Sequence, residues 1–238
     1  MDWVIRNLPM IGGLTLQHLV LSLVPVALAL VISLVLGYLL HLTGRAANPI
    51  LAVTSVVYAI PSIALFVALP VVLGTKILDP VNIIVALTLY SVVLLNRNVV
   101  DGLRSVPEDV VDAATALGYG RIRRLLTVEL PLAMPVILGG LRVVTVTNIA
   151  MVTVGAVIGT GALGQLFGIG FNTGYVVPIL TGIVAVMLLA LLADALILLV
   201  QRSFEPGREG LDTHDASALL LDQRTSQRRV ETSSGGRR

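Results

Sequence analysis

Three long stretches of this chain carry no Asp, Glu, Lys or Arg: between Arg6 and Arg45, between Arg45 and Lys76, and between Arg142 and Asp194. No soluble fold of ordinary size leaves so much sequence uncharged, because each exposed surface would be apolar. Over the whole chain 13% of residues are charged and 56% are hydrophobic, against about 25% charged in a soluble domain. A membrane-spanning helix needs roughly 20 apolar residues, so these stretches hold several spans rather than one anchor. Helices are required because backbone facing lipid must satisfy its own hydrogen bonds. The continuous Val, Leu, Ile and Ala runs lack the short alternating segments of a β-barrel. A signal peptide is excluded by length, since the first apolar stretch runs from about Leu8 to Leu42, far beyond a signal core of about 7–15 residues.

The expected architecture is therefore all-α, a polytopic helical bundle of about five spans, or six if one has been merged. The spans read as Leu16 to Leu40, Pro49 to Leu73, Val81 to Leu95, Pro135 to Ile158 and Val176 to Val200. Pro25, Pro61 and Pro70 fall within or at the ends of these spans and can kink them. Residues 1–15 form a lead-in, residues 16–202 the transmembrane domain, and residues 203–238 a polar, mostly disordered tail rich in Ser, Thr, Gly and Arg. Arg45, Arg97, Arg104, Arg121, Arg123, Arg124 and Arg202 fall on one side of the bundle, and Arg6 and Lys76 on the other. By the positive-inside rule the first side is cytoplasmic. This puts the C-terminus and a large connecting loop, about 97–133, in the cytoplasm. With no cysteine and a net charge of +2, thiol chemistry is absent and nucleic acid is not an expected partner.

The connecting loop carries the functional signal. Pro107 suits a helix start, with Glu108 and Asp109 at the positive end of the helix dipole. Val110, Ala113, Ala114 and Leu117 then share one face at helical spacing, and Gly118 and Gly120 end the helix. A second short helix is expected from Arg121 to Val128, leading to Leu130 and Pro131. The alanine-rich face buries little area and makes a poor lipid anchor. It suits close approach, either to a partner protein or to the chain's own bundle.

The pattern Asp112-Ala113-Ala114, three residues, Gly118, nine residues, Val128, one residue, Leu130-Pro131 resembles the "EAA" signature of permease subunits of ABC importers. Every spacing is kept, with Asp in place of Glu at 112 and Val in place of Ile at 128. Ala59 to Phe66, Leu94 to Asn98 and Val157 to Gly164 are similar to the glycine betaine/carnitine/choline branch of that family, and the likeness covers about Leu14 to Arg202. The resemblance implies a type I importer permease core that forms half of a translocation pathway for osmoprotectants such as glycine betaine, choline or carnitine. It implies that Asp112, Ala113, Ala114, Gly118, Leu130 and Pro131 couple the chain to a separate ATP-binding cassette ATPase, which would hold the ATP and magnesium. A second permease copy or a sister permease and an external substrate-binding protein are the other implied partners, in a bacterial plasma membrane. Arg121, Arg123 and Arg124 either meet acidic groups on the ATPase or simply follow the positive-inside bias.

Other signals are weaker. Gly159 to Gly164 matches G-x-G-x-x-G, but the next acidic residue, Asp194, is too distant for a dinucleotide site. A tight turn or re-entrant bend is expected there instead. No P-loop occurs, so the chain is not its own P-loop ATPase, and no catalytic or metal motif is present: His18, His41 and His214 are scattered. Arg142 lies inside the fourth span, where a charge is costly and is either functional or snorkels to the interface. It begins a polar series with Thr145, Thr147 and Asn148; Arg142, Thr145 and Asn148, together with Pro61 and Ser62, are the expected pathway residues. Asp194 either pairs with Arg142 or caps the bundle. A secondary transporter would need more intramembrane ionisable groups than these two, and a membrane enzyme would need a polar cluster that the sequence lacks.

Overall fold

A computed structural model describes residues 2–204, and every regular element among them is helical. Nearly all of the tail expected from 203 lies outside the described residues. The helices in order are α1 (Asp2–Arg6), α2 (Leu8–Leu42), α3 (Ala47–Tyr58), α4 (Ser62–Leu73), α5 (Pro80–Arg104), α6 (Glu108–Ala116), α7 (Arg121–Arg124), α8 (Leu130–Val154), α9 (Gln165–Thr173) and α10 (Val176–Arg202). Four stretches are long and apolar enough to cross a membrane, and the bent pair α3–α4 makes a fifth if taken as one span.

Several boundaries move from the expected ones, each for a local reason. α2 begins at Leu8 rather than Leu16, because Pro9 suits a first helical turn. Most of the supposed lead-in is thus helix, and α2 alone is roughly 50 Å long at 1.5 Å per residue. α5 opens on an Asp79 cap, whose carboxylate accepts from the Val81 N–H at 3.0 Å. It continues past Leu95 to Arg104 because Val99, Val100 and Leu103 keep its inner face apolar while Arg97 and Asp101 take the open side. The connecting loop therefore starts near 105 rather than 97. The separate helix expected at Arg121–Val128 does not form. α7 runs through a π-turn at Leu125–Glu129 into α8, giving one helix from Arg121 to Val154. The wider turn gives room to Pro131, whose ring would otherwise press on the carbonyl four residues back.

The second span is not one helix. It breaks at Ala59–Pro61, and α3 and α4 meet at 89°. Pro61 causes this: its extended backbone, φ −59° and ψ 132°, takes the chain out of the helix. The uncharged stretch after α8 also holds a helix the sequence reading missed, α9. Before it, Gly159 adopts φ +87° and the chain folds back so that Ala162, Leu163 and Leu166 are buried against α2, α8 and α10. Gly161 is required there, because a Cβ would collide with the backbone of Ala156. The tight turn expected there is present.

The bundle core is built by α2, α5 and α8, with α3 on α5 and α10 on α8. Apolar layers stack along it: Leu21, Phe66, Ile83 and Leu87 at one end, Val26, Leu95 and Leu141 in the middle, and Val99, Leu103 and Ile137 at the other.

Candidate coupling surface and translocation pathway

α6 stands at the end of the bundle where α2 and α5 finish. Its first turn carries Glu108 and Asp109, as the dipole favours. Of the expected apolar face only Ala114 is buried, at 6% exposure, while Asp112 and Ala113 are open and Leu117 is 78% exposed. Val111, not Val110, packs with Val99, Leu103 and Val106. The face therefore divides: one edge seats α6 on its own bundle, and the edge with Asp112, Ala113 and Leu117 is free. Gly118 closes the helix at φ +82°. Its N–H donates to the Thr115 carbonyl at 2.9 Å and the Tyr119 N–H to the Ala114 carbonyl at 3.1 Å, the paired bonds of a Schellman cap. A side chain at Gly118 would meet nothing within 4 Å, so the position is open on its outer side.

Leu130 is placed differently from the expectation. It packs into the bundle with Val99, Leu103 and Ile137, because it sits on the inner face of α8. Pro131 is exposed beside it.

Arg124 joins the two parts of this region. Its Nε donates to the Glu129 Oε1 at 2.6 Å and its Nη1 to the Thr115 Oγ1 at 2.7 Å. Glu129, on the π-turn, is 5% exposed. The last turn of α6 is thus fastened through one guanidinium to a buried carboxylate at the root of α8. The sequence reading passed over Glu129; a carboxylate in the stretch leading into a span was its available signal. Arg123 lies over the Tyr119 ring at 4.7 Å from its centroid, and Arg121 is exposed. Beneath α6 a cleft of about 300 Å³ is lined by His41, Arg104, Glu108, Asp112, Arg124 and Glu129. Among the described residues no group of His, Asp and Glu is placed to hold a metal ion.

The expected pathway residues separate. Thr145 and Asn148 are each 1% exposed. Asn148 Nδ2 donates to Ser91 Oγ at 2.9 Å, and Thr145 Oγ1 to the Leu141 carbonyl at 2.8 Å. Both face neighbouring helices, because α8 turns that side towards α2 and α5. A His18 ring nitrogen lies 2.9 Å from the Ile149 carbonyl, adding a second polar tie between α2 and α8. Arg142 forms a two-pronged pair with Asp194, Nε to Oδ1 at 2.7 Å and Nη2 to Oδ2 at 2.8 Å, linking α8 to α10. Asp194 is therefore the partner and not a cap. Pro61 is exposed and Ser62 half-buried at the α3–α4 break.

The family model of binding-protein-dependent transport system inner membrane components matches residues 19–206. The chain is 35% identical over 198 residues to the osmoprotectant import permease protein OsmW of Salmonella typhimurium, covering 82% of this chain and 92% of that one. It is 32% identical over 220 residues to the glycine betaine/carnitine/choline transport system permease protein OpuCD of Bacillus subtilis, covering 90% and 93%. Its fold is similar to a chain of the MetNI methionine ABC transporter in an inward-facing form, with a TM-score of 0.71, 25% identity, and coverage of 82% of this chain and 98% of that one. An all-helical bundle with the α6 signature, matched over this much of its length, belongs to the family of binding-protein-dependent transport system inner membrane components.

Proposed function

We propose that this chain is one of two transmembrane subunits of an ATP-driven importer for quaternary-amine osmoprotectants such as glycine betaine, choline or carnitine. The observation that carries the reading is the free edge of α6, where Asp112, Ala113 and Leu117 project beside the open Gly118. A separate ATPase holds ATP and magnesium and receives this edge; the chain itself performs no covalent chemistry. Closure of the ATPases moves α6. Arg124 and the π-turn pass that motion to α8, which continues the helix that starts at Arg121 and ends at Val154. A second copy or a sister permease completes the pathway, and an external binding protein delivers the solute. The arginine distribution favours α6 and the C-terminus on the cytoplasmic side. Pro61 and Ser62 are the pathway residues with the best support, because they lie on open backbone within the bundle's span.

The test is co-purification of the chain with the ATPase expected to be its partner, followed by solute-dependent ATP turnover, for wild type and Gly118→Trp. The indole should block seating and abolish both assembly and stimulated turnover. A variant that assembles and turns over ATP at the wild-type rate sinks the docking reading.

A further inference from the structure

The α3–α4 break lies at mid-depth and on the open surface of the chain. Tyr90, near the middle of α5, donates its hydroxyl to the Ile60 carbonyl at 2.6 Å. This fixes the break level with the centre of a 25-residue span. Ala59, Ile60 and Pro61 are nevertheless exposed. Non-helical backbone at that depth does not face lipid; it is covered by protein or lines a water-filled cavity. The break also leaves acceptors free. Among the described residues no backbone N–H reaches the carbonyls of Tyr58 or Ala59, which close α3. These carbonyls form the negative end of the α3 dipole.

An aromatic ring stands at the same point. Tyr58 meets Tyr90 edge-to-face, with centroids 5.6 Å apart and planes at 84°. Whichever ring supplies the edge, one face of Tyr58 is left uncovered by Tyr90, and the residue is 37% exposed. Tyr90 is 2% exposed and holds its neighbour in place. A partly exposed aromatic ring and two free carbonyls, meeting at one helix C-terminus, are the kinds of group that attract a large, weakly hydrated cation. The ring supplies its negative quadrupole and the carbonyls supply partial negative charge, with no formal anion to hold the cargo too tightly.

We propose that the α3–α4 break is a transit site for the trimethylammonium group of the solute, with the Tyr58 ring and the Tyr58 and Ala59 carbonyls as its contacts. This inference rests on the quaternary-amine reading above and deepens it. The site is a way-station within the permease and is separate from recognition by the binding protein. Tyr90 is a positioning residue, acting through its edge contact with Tyr58 and its bond to Ile60.

The experiment uses the complete importer, with its ATPases and loaded binding protein, in proteoliposomes. Initial import of radiolabelled glycine betaine is measured for wild type, for Tyr58→Leu, and for a series with phenylalanine and mono-, di- and trifluorophenylalanine at position 58. The fluorinated rings keep nearly the same shape and withdraw density from the face, so the series reports the ring's electrostatics and not its packing. Import should fall in steps with fluorine number, and Tyr58→Leu should lose about fivefold relative to wild type, as expected for a cation–π contact of ordinary strength. Import by wild type with a flat fluorine series overturns the transit site and leaves the importer reading standing. Absence of quaternary-amine import by wild type overturns the solute reading and this site with it.

Discussion

Arg124 and Glu129 provide a direct test of the proposal that motion at α6 enters the membrane through α8. The bond between them is 2.6 Å long, and the carboxylate side chain is 6% exposed against 24% for the guanidinium. A hydrogen bond to a charged group contributes about 1.5–3 kcal/mol, equivalent to about ten- to hundredfold in how firmly Glu129 holds the Arg124 guanidinium in the position where it meets Thr115 of α6. Arg124→Ala removes this bond and the one to Thr115, and strands a buried carboxylate. Glu129→Gln keeps the shape and weakens the bond. Thr115→Val removes only the solvent-exposed guanidinium–hydroxyl bond of 2.7 Å, a smaller loss of about 1 kcal/mol. The assay is solute imported per ATP hydrolysed by the reconstituted importer. Arg124→Ala and Glu129→Ala should each lower this ratio about tenfold or more while ATP turnover persists. The double variant should be little worse than either alone, because both remove the same link. Unchanged ratios in the single variants, or a double loss equal to the product of the singles, would refute the idea that this link carries force.

Three further outcomes follow from the geometry. Gly118→Ala should weaken ATPase assembly, since a Cβ residue in the left-handed region costs about 1–2 kcal/mol; Gly118→Asn should keep the turn better, and a competition pull-down distinguishes them. Arg142→Ala and Asp194→Ala should each reduce the yield of correctly inserted protein, whereas the exchange Arg142→Asp with Asp194→Arg should recover part of it, measured by membrane fractionation and detergent thermal stability. Asn148→Leu should destabilise the bundle by about 0.6–1.7 kcal/mol, the range for interhelical polar bonds in membranes, without changing which solutes compete for import. A change in solute preference would instead place Asn148 in the pathway.

The sequence by itself determined the solvent, the class and the signature helix. Uncharged stretches between Arg6 and Asp194 require helices in a bilayer, and the spacing from Asp112 to Pro131 is a local pattern that survives intact in α6 and the root of α8. The Gly118 turn was legible for the same reason, because a left-handed residue is a property of the backbone at one position. Only the tertiary structure decided which side of each span is inside. In a soluble helix, polarity marks the outer face; here lipid and core are equally apolar, so α10 is hydrophobic all round although it buries little more than Pro178, Gly182 and Leu189. That is why Asn148 reads as a pathway residue and is a strut between helices, why Leu130 reads as a docking residue and packs inward, and why the Arg142–Asp194 pair stayed open until α8 and α10 were placed side by side. The depth of the Pro61 break was likewise hidden. Proline signals a bend anywhere, but only Tyr90, reaching across from α5, fixes it at the middle of the bundle.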